Sequence, residues 1–253
     1  MSGPRLRICL DSATGGPTLD TAVSRAVLQR VDAGELPATL RLSRPPRVVA
    51  FSSRDARSPA FPAALAAAKA QGFDAVLRLA GGRAAVFTHE TIAFAWAVPM
   101  EASERPADGI DARFRVMAGA LRDAFVALGV DGRIGEVGGE YCPGAWSVNA
   151  RGETKLAGMG QRLLHRAAHT GGVVVVGDAA DINTVLTPVY GAMDATFDPQ
   201  VTGQIRDEVD VTWEKVREAI VTAFGATHEL EPWTLDEDTL RLGRRLAAGH
   251  LPA

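Results

Sequence analysis

Short apolar strands and amphipathic helices follow one another in a mixed order along this chain, and that order restricts its fold most. Residues 5–11 alternate apolar and polar side chains and predict a strand, and residues 17–34 predict a helix that ends at Gly34. The other strands are predicted within 38–43, 47–52, 74–87, 91–99, 145–150, 154–164 and 171–178, and the other helices within 59–72, 109–129, 181–189, 211–225 and 234–249. We therefore predict an α+β fold, with mixed β-sheets flanked by helices, rather than a doubly wound parallel sheet.

The length and apolar content of the chain favour a single large domain. It has 253 residues, of which 47% are hydrophobic, which suits one globular domain or one domain with a small appendage. We place the main domain at residues 1–200 and a small C-terminal helical element at residues 201–253.

Charge and composition argue against several classes of partner. The net charge is −3, so we expect no nucleic-acid partner, and no apolar run approaches the roughly 18 residues of a membrane span. The first residues have too short an apolar stretch for a signal peptide, and we expect a cytoplasmic protein. The chain has two cysteines, Cys9 and Cys142, and no zinc-binding spacing, so we expect neither a disulfide scaffold nor a metal site.

Cys142 stands in the segment GGEYCPGAW, where Pro143 restricts the backbone and the neighbouring glycines allow unusual turns. A cysteine on such a loop is accessible to a substrate. The alternative is a buried, inert cysteine, because free cysteine often fills a protein core. Cys9 lies in an alternating apolar strand, and we interpret it as a core residue.

Lysine is rare in this sequence, which draws attention to Lys155. The chain has 24 arginines and 3 lysines, and Lys155 follows Cys142 by 13 residues. A turn at Arg151-Gly152 would let two strands pair and bring Lys155 near the Cys142 loop. An ammonium group there could lower the pKa of the thiol and polarise a thioester carbonyl. The alternative is a solvated strand lysine.

The segment Arg78-Leu79-Ala80-Gly81-Gly82 predicts a loop between two strands. Two adjacent glycines let backbone N–H groups approach a ligand, although a glycine pair often only makes a turn. Three histidines, His89, His165 and His169, are further candidates for a catalytic base, but each is more often structural or solvated.

Taken together, these segments resemble the biotin/lipoate protein ligase family. The Arg78–Gly82 loop with its following strand is similar to one family motif, and the segment from Lys155 through Gly158 to Gln161-Arg162 is similar to a second. The Cys142-Pro143-Gly144 segment ahead of the lysine resembles the octanoyl-[glycine-cleavage H protein]:protein N-octanoyltransferase branch. The acidic residue of that branch after Cys-Pro-Gly is replaced here by Ser147.

The resemblance implies the catalytic-domain fold of that family for the main domain, and an acyltransferase of protein lipoylation that needs no cofactor. An octanoyl or lipoyl group would pass from a carrier protein, either glycine-cleavage H protein or acyl carrier protein, through a Cys142 thioester to a lysine of a lipoyl domain. The implied catalytic residues are Cys142 and Lys155, and the implied substrate-binding residues are Arg78, Gly81, Gly82, Gly158 and Gln161.

Two other functions remain open from the sequence. One is an ATP-dependent lipoate-protein ligase, in which the glycine loop holds an acyl-adenylate and Cys142 has no role. The other is a non-catalytic protein that binds acylated or lipoylated carrier proteins. The acyl group, the donor, the acceptor and the oligomeric state are not determined by the sequence.

Overall fold

A computed structural model describes residues 3–100 and 107–252 of the chain. The strands are β1 (Arg5–Cys9), β2 (Thr39–Ser43), β3 (Val48–Phe51), β4 (Asp74–Leu77), β5 (Ala85–Phe87), β6 (Thr91–Pro99), β7 (Gly132–Ile134), β8 (Val148–Ala150), β9 (Thr154–Leu163), β10 (Ala167–Val175) and β11 (Glu229–Pro232). The helices are α1 (Pro17–Asp32), α2 (Ser53–Ala56), α3 (Phe61–Ala70), α4 (Ile110–Ala127), α5 (Ala179–Ala192), α6 (Trp213–Gly225) and α7 (Glu237–Leu246).

Two mixed sheets form the framework, as predicted for an α+β fold. Eight strands make the large sheet, in the order β11-β1-β2-β6-β10-β9-β8-β7, and three make the small sheet, in the order β4-β3-β5. In the large sheet β1 is parallel to both β2 and β11, whereas the other neighbours are antiparallel. In the small sheet β3 is parallel to β4 and antiparallel to β5.

The apolar faces of the helices close the core on both sides of the large sheet. Helices α4 and α6 pack against each other, and their buried side chains Met117, Phe125 and Phe224 share a cluster with Trp96 of β6. A second cluster joins α3 and α5 to the small sheet. Because α1 packs against α7 and also contacts β6, β10 and β4, it covers the seam where the two sheets meet.

The β8–β9 hairpin is the local structure that positions the most important loop. Arg151 and Gly152 form its turn with positive φ angles of 57° and 83°, which is the backbone that a tight hairpin requires. Asn149 accepts a hydrogen bond from the Gly152 N–H at 2.8 Å and pairs in register with Lys155. The predicted turn at Arg151-Gly152 is therefore confirmed.

Several elements differ from the sequence-based expectations. Strand β7 and the short helix α2 were not predicted. Residues 229–232, for which no element was predicted, form β11 at the edge of the large sheet, so the segment 201–253 is not only helical and extends the sheet of the main domain. Helix α5 is longer than predicted, and Pro188 lies inside it. The last helix is shorter, because Asp236 caps it through the Thr239 N–H. None of the described helices is long and apolar enough to cross a membrane.

Candidate functional site

Cys142 lies on the loop between β7 and β8, in a backbone conformation that is unusual for a residue with a side chain. Its φ angle is 44°, in the left-handed region, which costs about 1–2 kcal/mol for a non-glycine residue. Both adjoining peptide groups are held: the Cys142 N–H donates to the Tyr190 hydroxyl at 2.9 Å, and the Cys142 carbonyl accepts from Lys155 at 2.9 Å. The protein therefore fixes the direction in which the thiol points.

The thiol faces the predicted glycine loop. Its Sγ accepts a hydrogen bond from the Arg83 N–H at 3.2 Å and lies 3.4 Å from a guanidinium nitrogen of Arg78. The same Arg78 nitrogen donates to the Arg83 carbonyl at 2.6 Å, which ties the guanidinium to the loop. The loop thus brings one full positive charge and one N–H dipole to the sulfur.

These groups set the acidity of the thiol. Burial by itself would raise the pKa of Cys142, but the charges of Arg78 and Lys155 and the hydrogen bonds from Arg83 and Arg78 outweigh it. The net result is a pKa below the ordinary thiol value, which increases the thiolate fraction near neutral pH. Burial raises the pKa of Cys9 instead, so the two cysteines differ in reactivity.

Gly82 allows the close approach of the loop to the thiol. Its φ is 99°, and a Cβ atom there would lie 2.6 Å from the Arg78 guanidinium and 2.8 Å from Cys142 Sγ. Gly81 faces open space. A side chain at residue 82 would therefore separate Arg78 from the sulfur.

Lys155 lies beneath the Cys142 loop rather than over the thiol. Its ammonium is buried and donates three hydrogen bonds, to Glu140 at 3.0 Å, to the Tyr141 carbonyl at 2.9 Å and to the Cys142 carbonyl. These use all three of its N–H donors. The predicted closeness of Lys155 to the Cys142 loop is confirmed, and its contacts are with the backbone that carries the cysteine.

Glu140 holds the Cys142 loop together with Lys155. Besides Lys155, its carboxylate accepts from the Val137 N–H at 3.1 Å, the Gly144 N–H at 3.0 Å and the Ser147 hydroxyl at 2.6 Å. Both oxygens of this buried carboxylate are thus hydrogen-bonded. Ser147, which replaces the acidic residue of the resembled branch, contributes to the same cluster.

Gly158 and Gln161 of β9 lie in different surroundings. A Cβ at Gly158 would be 2.9 Å from Lys155 Cε, so this glycine makes room for the lysine side chain. The Gln161 amide accepts from Arg113 at 3.0 Å and donates to the Ile110 carbonyl at 2.8 Å, which joins β9 to the start of α4. Gln161 also lines the cleft above the thiol, whereas Gly158 supports Lys155.

Two neighbouring cavities meet at the glycine loop. The thiol cleft is lined by Gly81, Gly82, Phe114, Cys142, Pro143, Gly144, Ala145, Trp146, Ser147, Met159, Gly160 and Gln161. On the other side of the loop, an inner cavity lies between the two sheets under α1, with Val48, Val76, Leu79 and Phe87 among its apolar walls. Ala80 lies directly over β9, because a Cβ at Gly160 would be 2.9 Å from the Ala80 Cβ. The loop therefore forms the partition between cleft and cavity.

A row of small residues crosses adjacent strands from the thiol cleft into the inner cavity, and we call this row the floor. Gly160 of β9 lines the thiol cleft and pairs in register with Gly171 of β10. Gly171 pairs with Ala95 of β6, Arg41 of β2 follows Ala95, and these three line the inner cavity. The row ends at a buried ion pair between Arg41 and Asp20. With adjacent strands about 4.8 Å apart, the row runs about 10 Å from Gly160, beneath the glycine loop, to Ala95.

Sequence reasoning missed two residues of the site, Glu140 and Tyr190. The Tyr190 hydroxyl accepts from the Cys142 N–H and donates to the Ala84 carbonyl at 3.0 Å, which links the cysteine to the strand after the glycine loop. Burial raises the pKa of Tyr190, so its hydroxyl stays protonated. A signal was available, because both tyrosines of the chain, Tyr141 and Tyr190, belong to this site.

The three candidate histidines do not contact the thiol. His89 and His165 are exposed. His169 is buried in the wall of the inner cavity, and burial lowers its pKa to about 4, so it is neutral at physiological pH. Within the described part of the chain, no group of three His, Cys, Asp or Glu side chains is arranged to hold a metal ion.

Replacing Arg78 tests the electrostatic activation of the thiol. Because the Arg78 charge lowers the pKa of Cys142, Arg78→Gln is expected to raise that pKa and move the alkylation profile with iodoacetamide to higher pH. The rate is followed by mass spectrometry of the Cys142 peptide. The control is Arg83→Gln, which keeps the backbone N–H that contacts the sulfur. A midpoint that does not move in Arg78→Gln would contradict this account.

The Lys155–Glu140 pair gives a prediction about stability. Lys155→Met leaves the Glu140 carboxylate buried without its charge partner, and we expect the free energy of unfolding to fall by about 3–5 kcal/mol. Adding Glu140→Gln removes the isolated charge and should recover part of that loss in urea unfolding. The control is Lys215→Met, which breaks the exposed Lys215–Glu218 pair and should cost less than about 1 kcal/mol. Equal losses in Lys155→Met and Lys215→Met would show that the buried pair is unimportant.

Comparison with known proteins finds related sequences over most of the chain. Residues 17–225 match the model of the lipoyl protein ligase A/B catalytic domain. An octanoyl-GcvH:protein N-octanoyltransferase of Geobacillus kaustophilus is 27% identical over 177 residues, which cover 68% of this chain and 59% of that protein. A lipoyl-GcvH:protein N-lipoyltransferase of Listeria monocytogenes is 27% identical over 159 residues, covering 61% of this chain and 56% of that protein. The matched part therefore spans a little over half the length of these relatives.

Solved structures show the same fold. A T. acidophilum protein with bound lipoic acid superposes with a TM-score of 0.76 at 23% identity, covering 97% of this chain and 94% of that one. A lipoate-protein ligase A bound with ATP gives a TM-score of 0.76 at 22% identity, covering 98% and 95%. The predicted family resemblance is confirmed by the match over 17–225 and by the names of the relatives. The chain belongs to the lipoyl protein ligase A/B catalytic-domain family.

Proposed function

We propose that this protein is an acyltransferase of protein lipoylation that carries an octanoyl or lipoyl group as a thioester on Cys142. The observation that supports this most directly is the position of the Cys142 thiol. It lies between Arg78 and the Arg83 N–H, has a lowered pKa, and adjoins a mostly apolar cavity across the glycine loop. A structural cysteine would need none of these features.

The reaction has two acyl-transfer steps. In the first, the Cys142 thiolate attacks the acyl carbonyl carbon of the donor, an S–C bond forms, the bond from that carbon to the donor's nitrogen or sulfur breaks, and the leaving group takes up a proton from solvent. In the second, the lysine amine of the acceptor attacks the thioester, an amide forms, the C–S bond breaks, and the thiolate is released as the amine loses a proton. Neither step changes an oxidation state. An amide donor exchanges one amide for another, and a thioester donor is already activated, so neither donor needs a nucleotide.

The groups that hold the thiolate are also suited to stabilise the oxyanion of each step. Arg78 and the Arg83 N–H lie within 3.4 Å of Sγ, so the oxygen of a carbonyl carbon bonded to Sγ would lie close to them. Lys155 was expected to share this role. Its three hydrogen bonds support instead a positioning role, in which it holds the Cys142 carbonyl and adds long-range positive charge.

The inner cavity, together with the floor beneath the glycine loop, suits the proposed acyl group in length and polarity. With C–C bonds of about 1.5 Å, an extended eight-carbon chain spans about 9 Å. The floor from Gly160, beneath the loop, to Ala95 in the inner cavity has about this length. Each buried methylene contributes roughly 0.8 kcal/mol, so the chain itself would supply much of the binding energy. For the acyl group to enter, the loop at Ala80-Gly81 would shift aside.

The names of the relatives support particular partners. They are octanoyl-GcvH and lipoyl-GcvH transferases, so we propose glycine-cleavage H protein as the acyl donor. Lipoyl domains as the acceptors and a cytoplasmic location are further parts of this proposal. Acyl carrier protein is the alternative donor. Substrate-binding roles for Gly81, Gly82 and Gln161 are part of the same proposal, because all three line the thiol cleft.

The requirement for ATP separates the transferase from its nearest alternative. Octanoylated H protein incubated with an acceptor lipoyl domain is expected to modify the acceptor without ATP and in excess EDTA. Cys142→Ala is expected to abolish both the modification and the enzyme's octanoyl adduct, whereas Cys9→Ala leaves them intact, as seen by intact mass. Modification that depends on free octanoate or lipoate with ATP and Mg²⁺ would instead make the protein a ligase. Binding of acylated carriers without any transfer would make it a non-catalytic binder.

Blocking the cavity floor tests where the acyl chain lies. Ala95→Leu adds three carbon atoms to the middle of the floor, next to Gly171 and Arg41. We expect transfer of octanoyl to Cys142 to fall at least tenfold, while transfer of acetyl, which needs little of the floor, stays within about twofold. The ratio of the two rates in one variant corrects for any loss of stability. An unchanged ratio would exclude the inner cavity as the acyl site.

A further inference from the structure

A third cleft, next to Arg78, is lined by positive charge that no carboxylate balances. We call it the arginine cleft. Arg25 of α1, Arg78 after β4 and Arg162 of β9 line it together with His250, and no aspartate or glutamate lines it among the described residues. Arg25 and Arg162 take part in none of the ion pairs found in residues 3–100 and 107–252. In the described part of the chain, the hydrogen bonds of the Arg78 guanidinium go to the Arg83 carbonyl and Cys142 Sγ alone.

His250 gives a second and independent indication of a ligand in this cleft. The side chain is 3% exposed, and its Nδ1 lies 2.6 Å from the Leu77 carbonyl oxygen. Because a carbonyl only accepts, Nδ1 carries the hydrogen, and the neutral ring presents an unprotonated Nε2. That Nε2 is buried and has no hydrogen-bond partner in the described chain. A buried acceptor of this kind is normally satisfied by a donor.

The remaining groups around the ring keep it neutral in the absence of a ligand. Burial lowers the pKa of His250, the charge of Arg25 acts in the same direction, and the hydrogen bond to Leu77 opposes them. The Arg25 guanidinium lies against the neighbouring backbone, 3.3 Å from the Cβ position of Gly249. The cleft thus combines several positive charges with one unprotonated nitrogen, His250 Nε2, that lacks a hydrogen-bond donor.

These requirements select one type of anion. Guanidinium groups bind phosphate oxygens with charge-assisted, often paired hydrogen bonds. A phosphate monoester has a second pKa of about 6, so near neutral pH it can place one proton between its own oxygen and the imidazole. A carboxylate brings a single charge and has lost its proton at that pH. If such a carboxylate belonged to the surface of a large protein, it would also have to reach the Nε2 atom of His250, which is buried.

We propose that the arginine cleft binds the terminal phosphate monoester of a small-molecule ligand. Two sources have this chemistry: the 3′-phosphate of an acyl-coenzyme A, which would make the ligand a soluble acyl donor, and the phosphate of a nucleotide. In either case Arg78 lines the arginine cleft and also contacts Cys142 Sγ. An anion bound in the cleft would therefore lie beside a residue that contacts the sulfur.

Titration calorimetry with two matched pairs of probes tests the proposal on the full chain. The first pair is coenzyme A and dephospho-coenzyme A, and the second is AMP and adenosine, so each pair differs by one phosphate monoester. In at least one pair the phosphorylated probe should bind at least tenfold more tightly. A preference in the first pair alone identifies a coenzyme A thioester as the ligand, and a preference in the second identifies a nucleotide.

Variants show whether the preference arises in the cleft. Arg25→Gln combined with Arg162→Gln should remove it, whereas Arg122→Gln combined with Arg133→Gln changes the net charge equally, lies outside the cleft and should keep it. Equal affinities within both pairs, or a preference that survives in the cleft variant, would overturn the proposal. The outcome is separate from the proposed transfer: octanoyl-N-acetylcysteamine carries no phosphate, and it should acylate Cys142 equally well in the wild type and the cleft variant.

Discussion

The buried ion pair between Lys155 and Glu140 is the interaction on which the rest of the site depends. Lys155 joins the carbonyls of Tyr141 and Cys142 to a strand of the large sheet, and Glu140 joins Val137, Gly144 and Ser147 to the same ammonium. Through this pair the glycine-rich loop that carries Cys142 acquires a fixed shape. A buried pair costs desolvation energy, and here its hydrogen bonds maintain the left-handed backbone at Cys142 that sets the direction of the thiol.

The second constraint is the opposition between burial and charge at the sulfur. A thiol in an apolar environment is a weak acid, and the partly buried Cys142 thiol lies across the glycine loop from a mostly apolar cavity. The protein resolves this by bringing Arg78 and a backbone N–H to the sulfur from the glycine loop, with Gly82 leaving the space that both require. One loop thereby lowers the pKa of the thiol on one side and forms a wall of the inner cavity on the other.

Much of the framework could be predicted from the sequence, and the network around the cysteine could not. Apolar periodicity identified α4 and α6, and the stop residue Gly34 delimited α1. The turn residues at Arg151-Gly152 identified the hairpin that carries Lys155 toward Cys142. Strand β11 was missed because ELEP alternates weakly and is mostly exposed, so only its pairing with β1 defines it. Tyr190 and Glu140 were missed because their partners come from distant elements or from backbone groups, which leave no local pattern. The rarity of lysine drew attention to Lys155, and the same reasoning applied to the two tyrosines would have led to Tyr190.

The pairing of β1 with β11 has a consequence for how the chain is made. Residues 5–9 leave the ribosome well before residues 229–232 and can pair with β2 early, but their outer edge is covered only when residues 229–232 have been synthesised. An open strand edge is a template for unwanted association with other chains. The nascent protein therefore carries an exposed edge until β11 has been made, and a ribosome that stalls before β11 releases a product whose large sheet is unprotected on that side.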